Sequence, residues 1–188
     1  MQKIAALIRR SLRLPVFLPL LALALAATWY GLGPSLARII ALTGGARFVD
    51  MQPGITPAAL IGQLRSYSPE ALRFYFWWTA FDFAWPLLTF TAMLFITAWL
   101  YRFLPERAQP TFVFMVGSAY ATVLMDWGEN LGFLAVILAG SPQPLEIAGV
   151  AVLLHRAKLF FNFVFNGGFF LLLGWVLVRL ARGRHRAV

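Results

Sequence analysis

The chain has no cysteine among its 188 residues. Disulfides, thiolate nucleophiles and Cys-ligated metals are therefore excluded within it. Charge is scarce as well. Only 12% of residues are charged, where soluble domains carry about 25%. Acidic side chains are the rarest, seven against sixteen basic ones. Nucleotide-binding signatures are missing: there is no G-x-G-x-x-G in context, no P-loop and no G-x-S-x-G. Neither E-x-x-H nor H-E-x-x-H occurs, so no metal site is assigned, although Asp82, Asp126, Glu129 and His155 have the right donor types. The only other histidine is His185, near the end of the chain. That excludes a bis-His haem within the chain and leaves His155 as a lone axial candidate. No cofactor is assigned.

What is present is apolar. Hydrophobic residues make up 61% of the chain and mean hydropathy is +0.76. Four runs stand out, residues 14–31, 72–100, 111–139 and 147–177. A helix needs roughly 20 residues to cross a hydrocarbon core about 30 Å thick. The runs must be helical, because lipid offers backbone groups no other partner. They are too long, and too poorly alternating, for barrel strands. The expected fold is all-α: a single-domain polytopic membrane protein, an antiparallel four-helix transmembrane bundle with a small extracytoplasmic helical loop over 34–70. Trp29, Tyr30, Trp77, Trp78, Trp99, Tyr101 and Trp175 near the run ends fit an interfacial aromatic belt.

Basic residues set the orientation. Lys3, Arg9, Arg10, Arg13, Arg102, Arg107, Arg179, Arg182, Arg184 and Arg186 fall on one side, and the scattered Arg38, Arg47, Arg65 and Arg73 on the other. The positive-inside rule then puts both termini in the cytoplasm. The net charge of +9 is read as this topology signal plus attraction to anionic headgroups, not as nucleic-acid binding. Localisation to a bacterial inner membrane is expected from this composition together with what the resemblance given below implies.

Residues 1–13 form a basic amphipathic lead-in. Basic residues followed by Ala22, Ala24 and Ala26 also resemble a cleavable secretory signal. A retained anchor is the reading adopted. In the loop, residues 35–42 are expected to form a short helix stopped by Gly44-Gly45. Thr56-Pro57 starts another, and Ser68-Pro69-Glu70 launches the second span. The connections at 105–110 and 140–146 are short and proline-containing.

The scarce ionisable residues sit inside the apolar runs. At 1.5 Å per residue, Asp82 lies about 7 Å outward of the centre of its span, Asp126 about 2 Å, Glu129 about 6 Å, Lys158 about 5 Å and His155 about 9 Å. They share a slab in the outer half of the bilayer. Their spacing also puts them on common faces: Tyr75, Trp78, Asp82 and Trp85; Asp126, Glu129 and Asn130; His155, Lys158, Asn162 and Asn166. Arg156 falls off that last face. Pro86 cannot donate to the carbonyl of Asp82, which leaves an acceptor beside the carboxylate at an expected kink. Gly128 and Gly132 form a G-x-x-x-G that lets a neighbouring helix approach.

Charged groups within a membrane are costly and usually face one another or a wet cavity. Lys158 is therefore expected to pair with Glu129 or Asp126. Glu129 is the general acid/base candidate, with Asp126 and Asp82 as proton or cation partners. Asn130, His155, Asn162, Tyr75, Trp78 and Trp85 are the ligand-contact candidates. Two functions follow. In one, the chain binds or processes a small lipid-phase molecule, or handles a proton or cation. In the other, it is a non-catalytic subunit of a homo-oligomer or larger membrane complex, and the polar cluster is helix–helix glue. The first requires a cavity reaching Glu129. The second requires a fully paired Lys158 and a flat apolar face. The phenylalanines around the last span (Phe160, Phe161, Phe163, Phe165, Phe169 and Phe170) are assigned to lipid contact and packing.

The stretch from Asp50 to Pro86, with D-M-Q-P-G-I-T-P and then Y-x6-D-x3-P, is followed by D-W-G-E-N (126–130) and a late lysine, Lys158. It resembles a group of uncharacterised bacterial four-span membrane proteins with Y…D…FP and D-x-x-E-N segments. Trp85 stands here where Phe usually precedes the proline. The resemblance implies the four-span fold and singles out Asp82, Asp126, Glu129, Asn130 and Lys158. It implies no activity.

Overall fold

The computed structural model describes residues 14–104, 108–139 and 145–184, together with Lys3, Ala6 and Leu7. The rest of the lead-in over 1–13, the connections at Arg107, Pro142 and Pro144, and the end of the tail with His185 and Arg186 lie outside the described residues. All regular structure among the described residues is helical. Four stretches are long and apolar enough to cross a membrane: Pro15–Leu42, Pro69–Phe103, Pro110–Leu138 and Leu145–Arg182.

The first stretch is longer than the sequence implied. Helix α1 (Leu14–Ala26) passes through a π-helical segment, Ala27–Leu32, directly into α2 (Gly33–Leu42). No break occurs at Gly31 or Pro34. Pro34 cannot donate and its ring crowds the carbonyl four residues back. A wider π turn just upstream is one of the few ways a helix absorbs that. The same segment meets α4 (Pro69–Leu100): Gly31 leaves room for the Phe81 ring, and the Trp85 indole donates to Thr28 Oγ1 at 2.9 Å. Helix α2 stops where glycine predicted. Gly44 and Gly45 have φ of +68° and +115°, and the Gly45 amide returns to the Ile40 carbonyl at 2.9 Å.

A single 3-10 turn, Val49–Met51, precedes α3 (Pro57–Ser66). The two expected caps are present. Thr56 accepts from the Ala59 amide at 3.2 Å and Ser68 from the Ala71 amide at 3.1 Å, with Pro57 and Pro69 in the first helical turns. Helix α4 holds Pro86 in its interior. Beside that proline, the Trp127 indole donates to the Phe83 carbonyl at 2.8 Å.

Helices α5 (Gln109–Leu138) and α6 (Leu145–Arg184) make the most extensive pair. Between helices in lipid, close packing and hydrogen bonds replace the hydrophobic drive. Gly132 provides the close packing: a Cβ there would lie 2.7 Å from Ala151 Cβ. Helix α4 packs on α5, α1 on α4 and α3 on α6. The interior divides into two apolar clusters. One gathers Phe48, Leu60, Tyr75, Trp78, Phe133 and Ala151. The other gathers Leu94, Phe112, Met115, Ala119, Phe165 and Phe169. Along α4, α5 and α6, the ionisable residues fall between these clusters.

The aromatic-belt expectation needs one correction. Trp29, Tyr30 and Trp77 are exposed, but Trp78 and Tyr101 are buried. Trp78 turns inward because Phe48 stacks on it, with ring centroids 4.3 Å apart. The Tyr101 hydroxyl is held by Thr111 at 2.7 Å. Around α6, Phe160, Phe163 and Phe170 face outward while Phe165 and Phe169 pack inside.

Candidate functional site

Helix α5 carries the centre. Asp126, Glu129 and Asn130 are all buried on one face. From α6, Lys158 reaches both α5 carboxylates: Nζ lies 2.7 Å from Glu129 Oε2 and 3.1 Å from Asp126 Oδ1. Both expected pairings therefore occur. From α4, Asp82 accepts a hydrogen bond from Asn130 Nδ2 at 3.1 Å, and the same amide reaches Asp126 Oδ2 at 3.5 Å. One amide thus bridges two carboxylates from different helices.

His155 sits a turn further along α6, fully buried. Its Nδ1 is 2.9 Å from Glu129 Oε1 and its Nε2 is 3.2 Å from the Gln52 carbonyl. A carbonyl only accepts, so Nε2 carries a proton. The Glu129–His155 contact then holds one more. Either an imidazolium donates to the carboxylate, or a carboxylic acid donates to neutral Nδ1.

A partly open cavity of about 370 Å³ lies in front of this layer. Its polar wall includes Asp82, Asp126, Lys158, Trp78, Asn162 and Asn166. Trp85, Pro86 and Thr89 continue the α4 side, and Phe90 and Met93 extend it, with Thr122 and Leu159 completing the lining. The predicted residues thus separate into two layers. Asp82, Asp126, Lys158, Asn162, Trp78 and Trp85 line the cavity. Glu129, Asn130 and His155 stand behind it and hold the front layer in place. Tyr75 is buried against Phe48 and Tyr67, outside the lining. Arg156 is exposed, off the shared face.

One ionisable lining residue was missed. Asp50, in the turn Val49–Met51, reaches the cavity from outside the four apolar stretches. It is 8% exposed, and its Oδ1 has no hydrogen-bond partner. Buried Phe48 and Val49 anchor its turn. Gln52 fixes the other side, its amide donating to Gln63 Oε1 at 2.8 Å and its carbonyl meeting His155. The available signal was local: a carboxylate flanked by Phe48, Val49 and Met51 in an otherwise polar loop.

Burial holds the Asp50 carboxyl above its ordinary value of 3.8, with Lys158 pulling it down and Glu129 pushing it up, and His155 lowering it slightly. Above pH 3.8 the folded chain therefore keeps a proton that the unfolded chain has released. Stability at this position falls as pH rises from there towards the raised value. Melting of wild type and Asp50→Asn in detergent, followed by circular dichroism, should show the wild type losing ground to the variant across that window. A constant difference in melting temperature would contradict the burial of an ionisable Asp50.

Among the described residues, no group of three or more His, Asp or Glu side chains is disposed to hold a metal ion. The chain matches no protein-family model, no curated protein and no solved structure.

Proposed function

We propose that this chain is a bacterial inner-membrane protein whose outer-half cavity binds a small lipid-phase molecule and exchanges a proton with it. In this reading the four apolar stretches form an antiparallel transmembrane bundle. Both termini are cytoplasmic, and the segment carrying α3 is the extracytoplasmic loop. The observation that carries the reading is the cavity, lined by ionisable side chains from three helices and by a carboxylate from the loop. Helix glue needs mutual pairing but no cavity.

The roles follow from the two layers. Asp82 and Asp126 are the acid/base groups within reach of a bound molecule. Glu129 and His155 form the proton store behind them, connected to the front through Lys158. Glu129 is thus a positioning and reserve group, since it does not line the cavity. The glue reading has its own support in the doubly paired Lys158. It accounts for Lys158, Asp126 and the rear layer, and leaves the cavity and Asp50 without a purpose.

The test is to fill the cavity. Thr89→Phe places a ring in the space without touching either layer. Wild type and variant, purified in the same detergent, are extracted with organic solvent and compared by mass spectrometry. A compound enriched on wild type and lost from a folded Thr89→Phe protein supports the reading. A stabilised Thr89→Phe protein with an unchanged extract sinks it and leaves the glue role.

A further inference from the structure

Two residues that line the cavity each carry a buried polar atom with no partner in the protein. One is Asp50 Oδ1, an acceptor, and the other is Trp78 Nε1, a donor. Both residues line the cavity, and Trp78 is 3% exposed. Unsatisfied buried groups of this kind are uncommon in native structures, and each calls for an explanation. Their chemistry is specific. A carboxylate oxygen seeks an N–H or O–H, preferably on a cation, and an indole N–H seeks an oxygen.

The charges around them point the same way. Lys158 is the cation of the lining, and its ammonium is already committed to Asp126 and Glu129. Asp50 and Asp82 then face the cavity with no cation of their own at contact distance among the described residues. The indoles of Trp78 and Trp85 also line the cavity. Along α4 the character changes with distance. Trp78 and Asp82 sit at the acidic end, and Phe90 and Met93 lie further on; Met93 is about 16 Å along the helix axis from Asp82. The lining thus runs from an acidic, ionisable end to an uncharged one, where Phe90 and Met93 stand with Asn166.

From this arrangement we infer that the bound molecule is an amphiphilic amine. Its protonated nitrogen lies between Asp50 and Asp82, a neighbouring hydroxyl or carbonyl oxygen accepts from Trp78 Nε1, and its hydrocarbon tail runs towards Phe90 and Met93. This assignment rests on the ligand-binding reading above and narrows it to a head-group class. It also gives the loop turn at Asp50 a task, since the loop supplies one of the two carboxylates.

The experiment uses the full chain in neutral detergent and four probes with six-carbon chains: n-hexylamine, n-hexanol, n-hexanesulfonate and 1-amino-2-hexanol. Binding is followed by tryptophan fluorescence and by the shift in melting temperature at neutral pH. Hexylamine is expected to bind about ten-fold more tightly than hexanol, the scale of a charge-assisted hydrogen bond. Asp50→Asn should remove that advantage and leave hexanol binding unchanged. Asp82→Asn gives the same comparison if Asp50→Asn fails to fold. The amino alcohol should bind more tightly than hexylamine on wild type but not on Trp78→Phe. Equal binding of amine and alcohol would overturn the amine assignment while leaving the lipid-phase site intact. Tightest binding of the sulfonate would overturn it too, with Lys158 as the anchor. No binding of any probe, with Thr89→Phe indistinguishable from wild type, would overturn both readings.

Discussion

Lys158→Met is expected to cost about 3–5 kcal/mol of stability, the usual result of removing one partner from a buried ion pair. Lys158 pairs with two carboxylates, Asp126 and Glu129, at 3.1 and 2.7 Å. Its side chain is 11% exposed, and Glu129 is fully buried. Methionine preserves most of the stem and its packing, so the loss isolates the charge. The companion variant is Lys158→Met with Glu129→Gln. That pair removes one of the orphaned charges and should recover part of the loss, with a coupling of about 0.5–3 kcal/mol between the sites. Unfolding in a detergent titration, followed by circular dichroism, measures all four corners of the cycle. A single-variant cost below about 1 kcal/mol would mean that the three groups do not meet as charges.

The second large effect is steric. Gly132→Ala is expected to destabilise by about 1–3 kcal/mol, the cost of overpacking a tight interior. Its new Cβ would lie 2.7 Å from Ala151 Cβ and 3.2 Å from the Ala151 backbone. Neither can rotate away, so α5 and α6 must separate. Glu129 and Asn130 ride on the same part of α5, and separation draws them from His155 and Lys158. Gly128→Ala is the control. Its new Cβ would lie 3.1 Å from Leu154 Cδ1, the end of a flexible side chain. Alanine also raises helix propensity by about 1 kcal/mol over glycine. Gly128→Ala should therefore be close to neutral, and equal costs at both glycines would refute the close contact at Ala151. The comparison is read by melting temperature in one detergent.

Much of this was legible in the sequence because helices translate spacing into faces. Asp126, Glu129 and Asn130 at i, i+3 and i+4 had to share a side of α5, and all three are buried there. Thr56 and Ser68 announced their helices because a capping hydroxyl before a proline has few other uses. Spacing within one helix does not fix its azimuth against the others. It showed that Asp126 and Glu129 belong together, but not that Asp126 would line the cavity and Glu129 stand behind it. Asp50 was out of reach for a different reason: its burial comes from Phe48 stacking on Trp78, a contact between a loop and a helix thirty residues apart. The uninterrupted helix through Pro34 depends on a π turn, which has no composition signature.

The Gln52 carbonyl against His155, with Asp50 two residues earlier, ties a segment outside the apolar stretches to the middle of the ionisable layer. Thermodynamic linkage then works in both directions. Whatever loosens this segment reshapes the cavity, and whatever fills the cavity tightens the segment. The filling of the cavity would thus be displayed on a segment outside the apolar stretches, where a fluorophore or an antibody can read it.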